Sequence, residues 1–293
     1  MSRGDTVVTL LPRSLFLFSL LLVTAFAATP AFGSAIIGRN VARPTLSIDR
    51  QGRAHVAYSS GGRRTALVAS GAINARTPSR STPQVKFRIR YGVGGGGACL
   101  PYDGPSLAWL VKACKAPDGS YWALQRWQRL KPNYGGTQGL WELHLSHWSG
   151  PLAQLVIYQN WASRRYRHLF GRLTYRGRGV YGFNATGAGA PLDSYGRNIY
   201  VDTYESAYGR GWRRENSFLT HHRGHTLGDF CYGFFPHSGH PAGKGTRYRA
   251  TVEGPGVTPD VMWAADDLGA FDESVQREQQ ALERSWGDPK CRT

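Results

Sequence analysis

Eight aromatic, strand-like segments follow one another between residues 121 and 235, and they constrain the fold more than any other feature. They occupy 121–127, 141–148, 155–161, 168–175, 180–183, 198–204, 215–221 and 229–235. Clusters of Gly, Pro, Asn and Asp separate them, the pattern of antiparallel strands joined by turns. Segments 121–127 and 155–161 are apolar on both faces, which predicts central strands of a layered structure. The fold expected is mainly β, a two-layer antiparallel β-sandwich with one short internal helix and a C-terminal helix.

Upstream, 45–49, 54–59 and 64–70 read as a three-stranded meander, turned by Arg50-Gln51-Gly52 and Ser60-Gly61-Gly62. Segment 84–91 continues the alternation, with Val85, Phe87 and Ile89 on one face and Lys86, Arg88 and Arg90 on the other. The run Gly92-Val93-Gly94-Gly95-Gly96-Gly97 lacks the Gly-Lys-Ser/Thr ending of a phosphate loop and reads as a flexible connection. Residues 105–115 place Leu107, Leu110, Val111 and Cys114 at i, i+3, i+4, i+7, with Pro105 in the first turn. This spacing predicts the internal helix. Residues 272–286, with Phe271 just ahead of them, set Phe271, Val275, Leu282 and Trp286 along one helical stripe, with Asp272 and Glu273 at the start and Arg284 at the end.

The division of the chain expected from these patterns is threefold. Residues 1–33 read as a secretory signal peptide: Arg3 and Arg13, an apolar run through 15–28, then small residues. Residues 34–260 form the sandwich domain, with a candidate seam at 92–98. Residues 261–293 form an acidic helix and tail packed on that domain. No later segment is apolar enough to span a bilayer, so the expected location is secreted, extracellular or in the cell envelope. Cys99, Cys114, Cys231 and Cys291 then make two disulfides, and Cys99–Cys114 with Cys231–Cys291 is the favoured pairing.

The 293-residue chain carries 36 Lys and Arg against 19 Asp and Glu, a net charge of +17. Residues 34–259 hold most of the excess, and the C-terminal stretch is acidic. Such a field favours anionic partners. Arginine and aromatic residues interleave at 161–167 and 208–214, where flat rings could face sugars and guanidinium groups could meet carboxylate or phosphate. The ligand-binding candidates are Trp148, Trp161, Arg164, Arg165, Tyr200, Tyr204, Trp212, Arg213 and Arg214.

A glycan hydrolase would need two carboxylates across a cleft, and Glu142 and Asp202 are the candidates, each beside aromatics on a strand's more polar face. His144 and His147 are three apart on one strand and point to opposite faces, so no metal site is expected, and no cofactor. The function expected is a non-catalytic, basic, aromatic-rich module that binds glycans or anionic polymers outside the cell. A secreted polysaccharide hydrolase and a structural or protein-interaction component are the alternatives.

Overall fold

The structure, a computed structural model, describes residues 34–76, 85–130, 137–180, 184–185, 191–192, 201–205, 215–220, 228–234 and 247–286. The strands are β1 (Ala35–Arg39), β2 (Ala42–Ile48), β3 (Ala54–Ser60), β4 (Arg63–Gly71), β5 (Phe87–Tyr91), β6 (Leu110–Lys115), β7 (Tyr121–Leu130), β8 (Thr137–Trp148), β9 (Gln154–Ala162) and β10 (Tyr166–Tyr175). They continue as β11 (Arg178–Gly179), β12 (Asn184–Ala185), β13 (Pro191–Leu192), β14 (Val201–Glu205), β15 (Glu215–Thr220), β16 (Gly228–Phe234), β17 (Arg247–Val252) and β18 (Val261–Asp266). A helix, α1 (Glu273–Trp286), closes the described chain. No described helix is long and apolar enough to cross a membrane.

All named pairings are antiparallel, and the protein is mainly β. One four-stranded sheet runs β1-β8-β7-β6, and a second runs β2-β3-β4-β5. A third has the order β11-β10-β16-β15 with β9 also on β10; a fourth runs β14-β17-β18, and β12 and β13 pair alone. The first two sheets share a core. Leu46, Ile48, Val56 and Leu67 from one meet Trp122, Leu124, Leu143 and Leu145 from the other. Each large apolar side chain so buried contributes about 1.5–3 kcal/mol. A second core joins Ile157, Leu169, Leu173 and Tyr175 to Tyr248, Ala250 and Val252, which links the third sheet to the fourth.

The meander forms as its turn residues require. Asp49 Oδ1 accepts the amides of Gln51 and Arg53 at 3.0 and 2.9 Å, and Gly52 takes the left-handed conformation (φ 74°). An Asx side chain folding the backbone onto itself is how aspartate favours turns. The predicted C-terminal helix is present, with Asp272 as its N-cap: Oδ1 accepts the amides of Ser274 and Val275 at 2.8 and 3.1 Å.

Several expectations are corrected. The internal helix over 105–115 does not form; 110–115 is strand β6, paired to β7 with Cys114 opposite Trp122. Trp109 adopts φ 56°, outside the right-handed helix, and the Lys115 amide bonds the Leu100 carbonyl at 3.2 Å. Pairing to β7 along one side, with a single bridge from Leu100 to Lys115 on the other, outweighs a helical spacing of four residues, and Leu110 and Val111 end exposed while Cys114 is buried. In β8 the two faces do not divide into core and solvent: every residue from Glu142 to Trp148 is buried, whereas Trp141 is exposed. Strand β9 bonds β10 on one edge, with no described strand on the other, so it is not central by pairing. Sheet structure also continues past residue 260, since β18 pairs along the whole of β17.

Candidate functional site

Disulfide Cys99–Cys114 forms, spanning 15 residues. Cys291 and the side chain of Cys231 lie outside the described residues, as do Tyr200, Trp212, Arg213 and Arg214. Asp202 and Tyr204 are placed on β14 by backbone alone, opposite Thr251 and Arg249.

Glu142 belongs to a buried polar cluster. Arg39 Nε donates to its Oε1 at 3.3 Å, and its Oε2 stands 3.5 Å from His144 Nε2. His144 Nδ1 donates to Ser34 Oγ (2.7 Å), which donates in turn to Asp260 Oδ1 (2.7 Å). Trp127 Nε1 donates to Asp260 Oδ2 at 2.7 Å, and Gln125 exchanges two hydrogen bonds with the Asp260 backbone. Burial disfavours the charge on His144, but Asp260, Glu142 and Glu253 outweigh it and raise the imidazole's pKa. Ser34, His144 and Asp260 are the residue types of a catalytic triad without its geometry, because the Ser34 hydroxyl (2.7 Å) and Asp260 Oδ2 (3.2 Å) both meet the same ring nitrogen, Nδ1, and all three residues are buried. The cluster satisfies buried charge where the chain from Ser34 and the Asp260 turn meet β7 and β8.

The aromatic candidates divide in a way that residue type alone does not reveal. Trp148 is wholly buried against Tyr102 and Tyr121. Trp161 is 3% exposed, with Phe271 edge-on at 5.4 Å and the Arg167 guanidinium 4.9 Å from its ring centre. Neither presents a free face for stacking. Arg164 and Arg165 are exposed in the turn after β9, and Arg164 lies 5.5 Å over Phe271. An open groove of about 360 Å³ there also includes Glu273, Gln276 and Arg277.

A more strongly polarised site lies on the outer face of β2–β5. Residues 34–100 contain eleven Lys and Arg and one acid, Asp49, a local imbalance visible in the sequence once that window is taken alone. The inner face packs Ile48, Ala54, Val56, Leu67 and Ala69 into the core, so period two sends Arg88, Arg90, Ser70, Val68 and His55 outward. The register aligns Arg88 with Ser70, Arg90 with Val68, and Val68 with His55. Arg53 joins them from the β2–β3 turn. The lone acid is already engaged: Asp49 Oδ2 accepts from Arg53 Nε at 2.7 Å and from His55 Nε2 at 2.9 Å. Burial works against its charge, but these bonds hold its carboxyl at about 2.

The glycine run crosses this face as a seated loop. The Ile48 amide bonds the Ala98 carbonyl at 2.8 Å, and a Cβ on Gly97 would stand 2.0 Å from the Ile48 carbonyl oxygen. Beneath the loop runs a groove of about 490 Å³, lined by Arg53, His55, Arg88, Arg90 and Gly94 to Gly96 among others. An adjoining groove of about 550 Å³ shares Asp49, Gln51 and Gly96 and adds Arg50 and Lys115. Neither contains a Phe, Tyr or Trp among its lining residues. No group of three or more His, Cys, Asp or Glu among the described residues is placed to hold a metal ion. No protein-family model, curated protein or solved structure matches the chain.

Proposed function

We propose that this protein is an exported, non-catalytic module that binds anionic polymers through the outer face of β2–β5. The observation that carries the reading is the pair of adjoining grooves beside the glycine loop, with Arg53, Arg88 and Arg90 along one and Arg50 and Lys115 along the other. Arg88 and Arg90, two residues apart on one face, stand about 7 Å from each other along the strand, a spacing suited to successive charges on an extended chain. Without aromatic walls, recognition rests on charge rather than on stacking against sugar rings or bases. This narrows the expectation of aromatic carbohydrate binding to electrostatic recognition of a backbone. The hydrolase alternative is less favoured, because Glu142 is buried and ion-paired with Arg39.

Two supporting readings belong to the same proposal. The leader-like residues 1–33 and the Cys99–Cys114 bridge favour an oxidising, extracytoplasmic location. The core shared by the first two sheets favours a sandwich of those layers.

Retention on immobilised polyphosphate, dextran sulfate, polygalacturonate and neutral dextran, across about 50–200 mM salt, tests the function. Binding to the charged polymers should fall steeply with salt, and neutral dextran should retain nothing. In the double variant Arg88→Ala/Arg90→Ala the slope of log affinity against log salt should shrink by roughly 1.5 to 2. Retention that ignores both salt and polymer charge, or none on any polymer, would overturn the proposal.

A further inference from the structure

The groove beneath the glycine loop contains donors that a general electrostatic reading does not use. The His55 side chain is nine-tenths buried. Its Nε2 is taken by Asp49, while its Nδ1 is buried without a hydrogen-bond partner among the described residues. A buried ring nitrogen left unmatched is unusual enough to require an explanation. Gly95 lies over that ring so closely that a Cβ would stand 2.3 Å from Nδ1, so glycine is sterically required there.

Gly94 and Gly96 are different. Open space surrounds the position of a Cβ at each, and neither has a positive φ. Packing and backbone conformation therefore do not demand glycine at these two positions. No described residue hydrogen-bonds their amides, and both line the groove. Glycine at such places leaves the backbone bare to close approach by a ligand.

We propose that His55, Arg88, Arg90 and the bare backbone of Gly94 and Gly96 form a subsite for a tetrahedral oxyanion, a phosphate or sulfate ester of the bound polymer. The inference rests on the polyanion reading above and specifies the charged group that the module prefers. A carboxylate is planar, and a single guanidinium satisfies both its oxygens. A tetrahedral ester offers oxygens in several directions and gains from donors on both sides, here arginines from the sheet and amides from the loop. Asp49 orients the imidazole by accepting its Nε2–H, which leaves Nδ1 as the ring nitrogen to meet the anion, through a hydrogen bond whose proton either the ring or the oxyanion can carry. No bond is made or broken.

The test is displacement of full-length protein from labelled polyphosphate by inorganic phosphate, sulfate or acetate at matched ionic strength. Phosphate or sulfate should displace at concentrations on the order of tenfold below acetate, the worth of one or two extra charge-assisted hydrogen bonds. Potency of one ion alone identifies the ester, and equal potency of both identifies the shared geometry. Gly94→Ala and Gly96→Ala should each erase the preference over acetate while salt-dependent retention persists. The His55 ring resonances should move on adding phosphate to the free protein. Polymer retention with equal displacement by all three ions would overturn the subsite and leave the module standing. A His55 response to phosphate without retention on any polymer would support the subsite and overturn the module.

Discussion

The side-chain amide of Gln276 pairs with the backbone of Trp161 as a neighbouring strand would. Its Oε1 accepts the Trp161 N–H at 2.8 Å, and its Nε2 donates to the Trp161 carbonyl at 2.8 Å. Strand β9 has β10 on one side, so its other edge needs partners for its buried amide groups. Helix α1 supplies one at Gln276 and a second contact at Glu283, which accepts from Asn160 Nδ2 at 3.0 Å. Gln276→Ala should therefore cost about 1–3 kcal/mol, because both Trp161 groups lose their partner in a buried setting. Gln276→Glu keeps an acceptor for the N–H but sets a carboxylate against the carbonyl, so it should restore little. Urea unfolding of the three proteins measures this, and an alanine variant as stable as the parent would show that the helix is not closing the edge.

Acid and base should act on stability through different histidines. Burial pushes His147 down to about 4, and it does the same to His168. Between pH 4 and about 6.5 the unfolded chain binds protons at these positions that the folded protein refuses. Stability should therefore fall on acidification through that window, by about 1.4 kcal/mol per pH unit for each histidine. His144 has the opposite sign. Its pKa is raised above 6.5, so its contribution is complete below that value and is lost as pH rises through the folded one. Unfolding free energies from pH 4 to 9 should pass through a maximum near pH 6.5. His168→Gln should flatten the acid limb and His144→Gln the alkaline one. A profile level from pH 4 to 6.5 would contradict the buried neutral histidines.

Reduction of Cys99–Cys114 should weaken both fold and binding. Closing a loop of this length stabilises by about 3 kcal/mol in the chain-entropy account. The bridge also anchors the glycine loop, since Leu100 and Lys115 beside it line the larger groove. A Cys99→Ala/Cys114→Ala protein should unfold at lower urea and bind polyphosphate more weakly at every salt concentration. Equal affinity in the two proteins would mean that the loop holds its place without the bridge.

Local rules made some of this legible and could not reach the rest. The alternation of Arg88 and Arg90 against Phe87 and Ile89 is a period-two signal, and β5 carries it from Phe87 to Tyr91, shorter at its start than the expected 84–91. The Asp49 turn and the Asp272 cap depend on side chains within four residues of their partners, so sequence contains them too. Residues 105–115 misled because four apolar positions fit a helical period while long-range pairing to β7 decided the outcome. The sequence pattern sets Glu142 beside aromatics on its strand's more polar face. Its tie to Arg39, and those of its near neighbour His144 to Ser34 and Asp260, join residues more than one hundred positions apart. Aromatic residue type likewise could not distinguish a stacking platform from the core at Trp148 and Trp161. The juxtaposition of His55, Val68 and Arg90 depends on strand register, which no local pattern states.

The glycine loop separates two roles for one residue type, and stability distinguishes them from binding. A methyl group on Gly97 would lie 2.0 Å from the Ile48 carbonyl oxygen and 2.7 Å from the Asp49 amide nitrogen, both backbone atoms that cannot move aside. One on Gly95 would meet the His55 ring at 2.2 Å, and Asp49 holds that ring. Gly97→Ala and Gly95→Ala should each destabilise by about 1–3 kcal/mol, the usual cost of forcing a group into occupied space. Gly94→Ala and Gly96→Ala should do the reverse. With nothing near the new methyl and no left-handed backbone to strain, they should gain up to about 1 kcal/mol from the smaller entropy of the unfolded chain. Thermal and urea unfolding of the four single variants checks the order. A loss of stability in Gly94→Ala comparable to that in Gly97→Ala would mean that both glycines serve the fold. The bare backbone at 94 and 96 would then no longer distinguish a ligand contact from a structural turn.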